Sequence, residues 1–228
     1  MENLVAYLPL LLAGLRTTIL LAVSTLILGL VLGMALAMAK LSRHAWVSRP
    51  AYAVTNFLRG IPEYLVLLVI YFGGTQLIDA ILGPGVLEVS PWVAGLTALT
   101  IVFSSYASET FRGAFLSVPK GQIEAARAYG FSAWQCFRLV QLPQILRVAI
   151  PGLGNLWQSV VKDTALVSII GLEDMMRKAN QAATATREPF VFYFAVSLGY
   201  LAITVVSMLV IARLEKRANR GMPKGVGR

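Results

Sequence analysis

Five runs of apolar residues, each long enough to cross a bilayer, are separated along this chain by stretches that hold most of its charge. A spanning helix needs roughly 20 mostly apolar residues. The pattern predicts spans over about 17–39, 64–82, 92–111, 149–172 and 190–212, and therefore an all-α membrane protein. The first run has 23 residues without a charge, and the fifth is also uncharged. Asp79 lies near the end of the second, Glu109 inside the third, and Lys162 and Asp163 interrupt the fourth. Residues 4–15 are apolar too and are expected to form a separate short helix along the outer membrane surface. A cleaved signal peptide does not fit the first run. Glu2 precedes it with no basic residue before Arg16, and it is longer than the roughly 7–15 residues of a signal core.

Lys and Arg collect on the cytoplasmic side of membrane proteins. With the N-terminus outside, the inner segments hold Lys40, Arg43, Arg49 and Arg59, then Arg112, Lys120, Arg127, Arg138 and Arg147, then Arg213, Lys216, Arg217, Arg220, Lys224 and Arg228. The outer segments hold only Arg177, Lys178 and Arg187. The asymmetry predicts the N-terminus outside and the C-terminus inside. The Gly- and Lys/Arg-rich tail 218–228 reads as a solvated or headgroup-touching end.

Composition supports the lipid reading: 57% of residues are apolar and 14% charged, against about a quarter charged in soluble domains. Disorder requires low hydrophobicity and is excluded. Cys136 is the only cysteine and His44 the only histidine, which excludes a disulfide scaffold and argues against a resident metal. The net charge of +9 does not point to nucleic acid, because the basic residues sit between apolar runs instead of forming a soluble face.

One inner connection is long. Residues 112–148 make 37 positions, punctuated by Pro119 and Gly121. Gln122–Tyr129 reads as a short Ala-rich helix that Gly130 ends, glycine being favoured just past a helix C-terminus. Ser132 and Gln135 have the spacing of a capping box that starts a second helix. Pro143 is expected to mark the next break.

Within this segment, Glu124-Ala125-Ala126, three residues, Gly130, nine residues and Val140-Gln141-Leu142-Pro143 resemble the E-A-A-x3-G-x9-I-x-L-P signature of ABC-importer permeases. Val140 stands where the family has Ile, a change that conserves shape. Further strings resemble the polar amino-acid branch: Arg59-Gly60-Ile61-Pro62 with Glu63, Ser105–Gly113, Pro119-Lys120-Gly121, Lys162–Gly171 and Gly171-Leu172-Glu173-Asp174. Within that branch the chain is most similar to permeases for histidine, lysine, arginine and ornithine, and for octopine and nopaline.

The resemblance covers about residues 8–215 and implies a bacterial inner-membrane, multi-pass subunit with a cytoplasmic coupling segment at about 119–143. Glu124, Ala125, Ala126, Arg127 and Gly130 would there dock on an ATP-hydrolysing partner. It implies a second permease, with a heterodimer favoured over a homodimer, two ATP-binding subunits and a periplasmic substrate-binding protein. It implies no catalytic residue in this chain. The chain has no G-x4-G-K-[ST] loop, so ATP and Mg would be bound by the partner subunits.

Charge within a span is costly and marks functional candidates. Asp163 either accepts hydrogen bonds from a cationic substrate, or pairs with another helix or caps a break in its own. Glu109 either pairs with Arg112 three residues on or faces the substrate path. Tyr106 and Trp157 are candidates to stack on a guanidinium. Lys162 adjoins Asp163 but points roughly 100° away on a helix. Arg16 is expected to snorkel to the headgroups. Glu63 is expected at the inner start of the second span, complementing its N-terminus. A membrane-embedded enzyme would need a Ser/His dyad, an Asp pair or metal ligands that the pattern does not offer. An ion-coupled carrier or channel is the remaining alternative.

Overall fold

Lipid offers no hydrogen bonds to the backbone, so a crossing segment must satisfy its own N–H and C=O groups as a helix. The computed structural model describes residues 2–83, 85 and 88–220, and no strand occurs among them. The end of the basic tail, including Lys224 and Arg228, lies outside the described residues. The chain runs α1 (Glu2–Lys40), α2 (Ala45–Arg59), α3 (Glu63–Leu68), α4 (Gly74–Leu82), α5 (Pro91–Leu116), α6 (Lys120–Ala128), α7 (Ala133–Gln135), α8 (Leu142–Asp163), α9 (Met175–Thr186) and α10 (Pro189–Ala218). Wide π turns join α3 to α4 at Val69–Gly73 and α7 to α8 at Cys136–Gln141. A 3₁₀ segment, Thr164–Ile170, prolongs α8. Three stretches are long and apolar enough to cross a membrane: Asn3–Lys40, Glu63–Leu82 and Pro189–Ala218.

The more polar α5 packs against α1, α2, α3 and α8. Ala94, Ala98, Ser104, Ser105, Ala107, Ser108 and Ala114 are all buried. The serines are satisfied without external partners. Ser104, Ser105 and Ser108 each donate to the carbonyl three residues back, at 2.8, 2.7 and 2.7 Å, the usual fate of a hydroxyl inside a helix. Their small size lets α1 approach closely. A Cβ at Gly33 would lie 2.9 Å from the Ala107 Cβ and 3.2 Å from the Ser104 carbonyl oxygen. Small residues at such crossings are how helices gain packing energy in a medium as apolar as themselves.

Two expectations are corrected. Residues 4–15 are not a separate surface helix, because α1 is continuous from Glu2 to Lys40. Leu4, Tyr7, Leu10, Leu11 and Leu15 pack into a cluster with α9 and α10. A Cβ on Gly14 would lie 2.7 Å from the Met175 Cα, so α9 holds this end of α1 in line. Pro143 marks no break. The π turn Cys136–Gln141 runs straight into α8, where Pro143 sits in the first turn and its missing N–H costs nothing. Glu63 opens the apolar stretch Glu63–Leu82 as expected, its carboxylate in the first turn of α3 where negative charge is favoured. Gly60 closes α2 and Pro62 precedes α3, and this interruption lies abreast of the middle of α5. Glycine and proline together end one helix and let the next begin at a new angle.

The α1–α5 crossing generates a prediction. Gly33→Leu should force the helices apart and destabilise the chain by about 1–3 kcal/mol, read as a lower thermal midpoint in detergent. An unchanged midpoint would show that the approach is not stability-limiting.

Candidate functional site

At the end of the bundle that carries Lys40 and Arg112, α5 gives way to a compact helical knob. Pro119 is the N-cap of α6. Past Ala128 the chain turns on Gly130 at φ +83°, a conformation that costs an L side chain about 1–2 kcal/mol. The Phe131 N–H donates to the Ala126 carbonyl at 3.1 Å and the Gly130 N–H to Arg127 at 2.9 Å, closing the helix end. Ser132 then starts α7 with both halves of the capping box. The Gln135 N–H donates to the Ser132 Oγ at 3.3 Å, and the Ser132 N–H to the Gln135 Oε1 at 2.8 Å.

The knob is anchored on one side and bare on the other. Ala126 is buried, and Ile123, Phe137 and Val118 join the cluster that holds Phe111, Ala114 and Ile145. The Gln144 side-chain amide donates to the Gln122 Oε1 at 2.7 Å, tying α8 to α6. Glu124, Ala125, Arg127 and Gly130 are exposed. Beside them Tyr129 is 86% exposed, Trp134 64% and Leu139 60%. A cluster of large apolar side chains left bare beside charged residues is a mark of an interaction surface.

The second feature is a cavity of about 220 Å³ beside α5, lined by Glu63, Leu99, Val102, Phe103, Tyr106, Leu156, Ser159, Val160 and Asp163. Asp163 reaches it as the last residue of α8, where the helix tightens to 3₁₀. Glu63 reaches it as the first residue of α3, just past the Gly60–Pro62 interruption. Two carboxylates from different helices thus face one space. The guanidinium of Arg59 lies over the Tyr106 ring, 5.4 Å from its centroid. That face of Tyr106 is therefore taken by a residue of the chain itself.

The cavity brings together Asp163 and Tyr106 but neither Trp157 nor Glu109. Trp157 lines two apolar clefts of about 410 Å³ each between α1, α8 and α10. Glu109 binds two cations: the Lys40 Nζ lies 2.6 Å from its Oε1, and the Arg112 Nε donates to its Oε2 at 2.9 Å. Lys162 lines no part of the cavity, and its side chain is exposed, as is Arg16. Sequence reasoning missed Lys40 and Tyr52 as partners in the Glu109 cluster, and Arg59 as the partner of Tyr106. Its one available signal was Glu109 itself, since a carboxylate in a span requires a cation from another helix.

At the opposite end, Asp174 caps α9 by accepting from the Met176 and Arg177 N–H groups at 3.2 and 2.8 Å. The Met175 N–H donates to the Thr18 Oγ1 at 3.1 Å, joining α9 to α1. Lys178 pairs with Glu173 and holds its carboxyl below the usual carboxylate range.

The reciprocal cap yields a prediction for the knob. Ser132→Ala should cost about 1 kcal/mol locally, seen as several-fold faster amide hydrogen exchange over 133–136 with α10 unaffected. Equal exchange would show the box to be ornamental.

Comparison with known proteins places these features in a lineage. A family model described as the binding-protein-dependent transport system inner membrane component matches residues 29–220. The chain is 38% identical over 216 residues to the histidine/lysine/arginine/ornithine transport system permease protein HisQ of Escherichia coli, covering 93% of this chain and 95% of that protein. It is 41% identical over 213 residues to the octopine transport system permease protein OccQ of Rhizobium radiobacter, covering 92% and 90%. Among solved structures, an amino acid ABC transporter crystallised with histidines superposes with a TM-score of 0.84 at 30% identity, over 95% of this chain and 97% of that one.

Proposed function

The chain belongs to the family of binding-protein-dependent transport system inner membrane components, and from that premise we propose that it forms half of the membrane pathway of an ATP-driven amino-acid importer. The whole chain acts as one transmembrane domain of five spans, with the N-terminus outside and the knob and C-terminus in the cytoplasm. The Lys/Arg asymmetry supports this orientation. The carrying observation is the knob, seated firmly on α5 and α8 yet presenting Glu124, Arg127, Tyr129 and Trp134 outward. Such a surface suits a soluble ATPase that pushes on it. An ion-coupled carrier or channel would leave it without a use. ATP and Mg belong to that partner, and this chain performs no chemistry on them.

The cavity supports a cationic amino acid as cargo. A guanidinium or ammonium leaving water needs charge-assisted hydrogen bonds to carboxylates, and Asp163 and Glu63 both line the space. Arg59 is then available for the substrate's α-carboxylate. Relatives that carry histidine, lysine, arginine and ornithine, or octopine, fit this charge pattern. Arg59, Ser159 and Lys162 are exposed close to the cavity, and polar groups at that depth call for a protein neighbour instead of lipid. A second permease, different from this one, covers that face, and a periplasmic binding protein delivers the substrate to the outer end. ATP-driven closure of the ATPase pair moves the knob and rocks the spans between inward-open and outward-open states around the site.

Two measurements test this reading. Glu124→Lys should abolish most uptake and weaken co-purification of the ATPase, and full uptake by this variant would refute the docking role. Asp163→Asn should weaken arginine uptake by about 10- to 100-fold, the loss of a hydrogen bond to a charged group, while ATPase assembly persists. Equal arginine uptake would remove Asp163 from the site.

A further inference from the structure

Five residues from three helices meet where α1, α2 and α5 come together, and neither substrate binding nor ATPase docking uses them. The Lys40 side chain is completely buried; its Nζ donates to the Glu109 Oε1 at 2.6 Å and to the Ser108 Oγ at 2.8 Å. The other oxygen of Glu109 takes the Arg112 Nε at 2.9 Å and lies 2.8 Å from the Nη2. Both cations sit over the ring of Tyr52 on α2, Lys40 at 5.4 Å and Arg112 at 5.8 Å from its centroid. Separating a buried ion pair leaves an uncompensated charge and is strongly destabilising, so α1 cannot slide along α5 without losing that pairing. Cation–π attraction holds Tyr52 against the same two cations.

The position of this cluster gives it a task. Toward the knob, Arg112 lies one turn before the end of α5, and Val118 just beyond shares a packed cluster with Ile123 of α6. Toward the cavity, α2 runs from Tyr52 to Arg59, whose guanidinium covers the Tyr106 ring. Between α1 and α2 lie only Leu41–His44, which are not helical and would otherwise serve as a hinge.

Resting on the importer reading above, we propose that Glu109 is a positioning residue: by holding Lys40 and Arg112 together over Tyr52, it makes the inner ends of α1, α2 and α5 one lever. Displacement of α6 then reaches Arg59 and the cavity instead of being absorbed at Leu41–His44.

The test uses the full complex reconstituted in liposomes with its ATPase, second permease and binding protein, with arginine as the probe. Glu109→Gln should leave the ATPase bound and hydrolysing but lower arginine moved per ATP by about tenfold, the scale of mutational changes in coupling. An unchanged ratio, whether both rates fall or neither does, overturns the lever. Should Glu109→Gln fail to assemble, Tyr52→Leu must lower the ratio several-fold while Lys40→Arg, which keeps the charge, preserves it. Equal ratios in those two variants overturn the proposal as well. A wild-type complex without ATP-driven uptake removes the importer reading and the lever with it. A wild type that pumps, beside a variant of unchanged ratio, removes the lever alone.

Discussion

Inside a bilayer there is no solvent to satisfy a polar group, so every hydroxyl, charge and helix end must find its partner in protein. This constraint organises α5. Its serines bond their own backbone, and its small residues let α1 lie close enough for Lys40 to reach Glu109. The apolar α1 then covers part of that polar axis. The same constraint explains why α5 is less apolar than α1. Half of its residues are buried, and hydrophobicity is needed only where lipid is the neighbour.

The knob obeys the opposite condition. It stands at the water-facing end, where exposed backbone is cheap, and its shape is set by local signals: Pro119, left-handed Gly130 and the Ser132–Gln135 box. Those devices fix geometry without a large core. What makes the knob useful is that its base is not local. Val118, Ile123 and Phe137 are packed with Phe111 of α5 and Ile145 of α8, so a force on Tyr129 or Trp134 is passed to two helices of the bundle. A loosely tethered loop with the same exposed residues would bind a partner but transmit little.

Much of this was legible in the residues. The apolar runs, the capping box and the glycine corner are short-range patterns; the chain is all-helical among the described residues, and the box and the corner stand where those patterns put them. The Glu109–Arg112 contact followed from three-residue spacing on one helix. Pairings between distant segments were not legible. Nothing local reports that Lys40 belongs to Glu109, or that Arg59 covers Tyr106, because those contacts depend on the register of one helix against another. Residues 4–15 were misread for the same reason: their uniform apolarity suits a surface helix as well as an upright one, and only packing on α9 and α10 decides. Pro143 was misread because a π turn can precede proline without ending the helix.

Two interruptions in the bundle meet at one space. Irregular backbone at membrane depth is tolerated only where it is buried in protein or borders a cavity. The Gly60–Pro62 break and the passage from α8 to the 3₁₀ segment at Asp163 both flank the same space, and each delivers a carboxylate to it, Glu63 from one and Asp163 from the other. At the first, Glu63 opens a new helix, so the break sets where its carboxylate stands; at the second, α8 tightens to 3₁₀ just past Asp163. The cavity is therefore bordered by two places where the chain departs from a regular α-helix, and a lever that moves either would rearrange it.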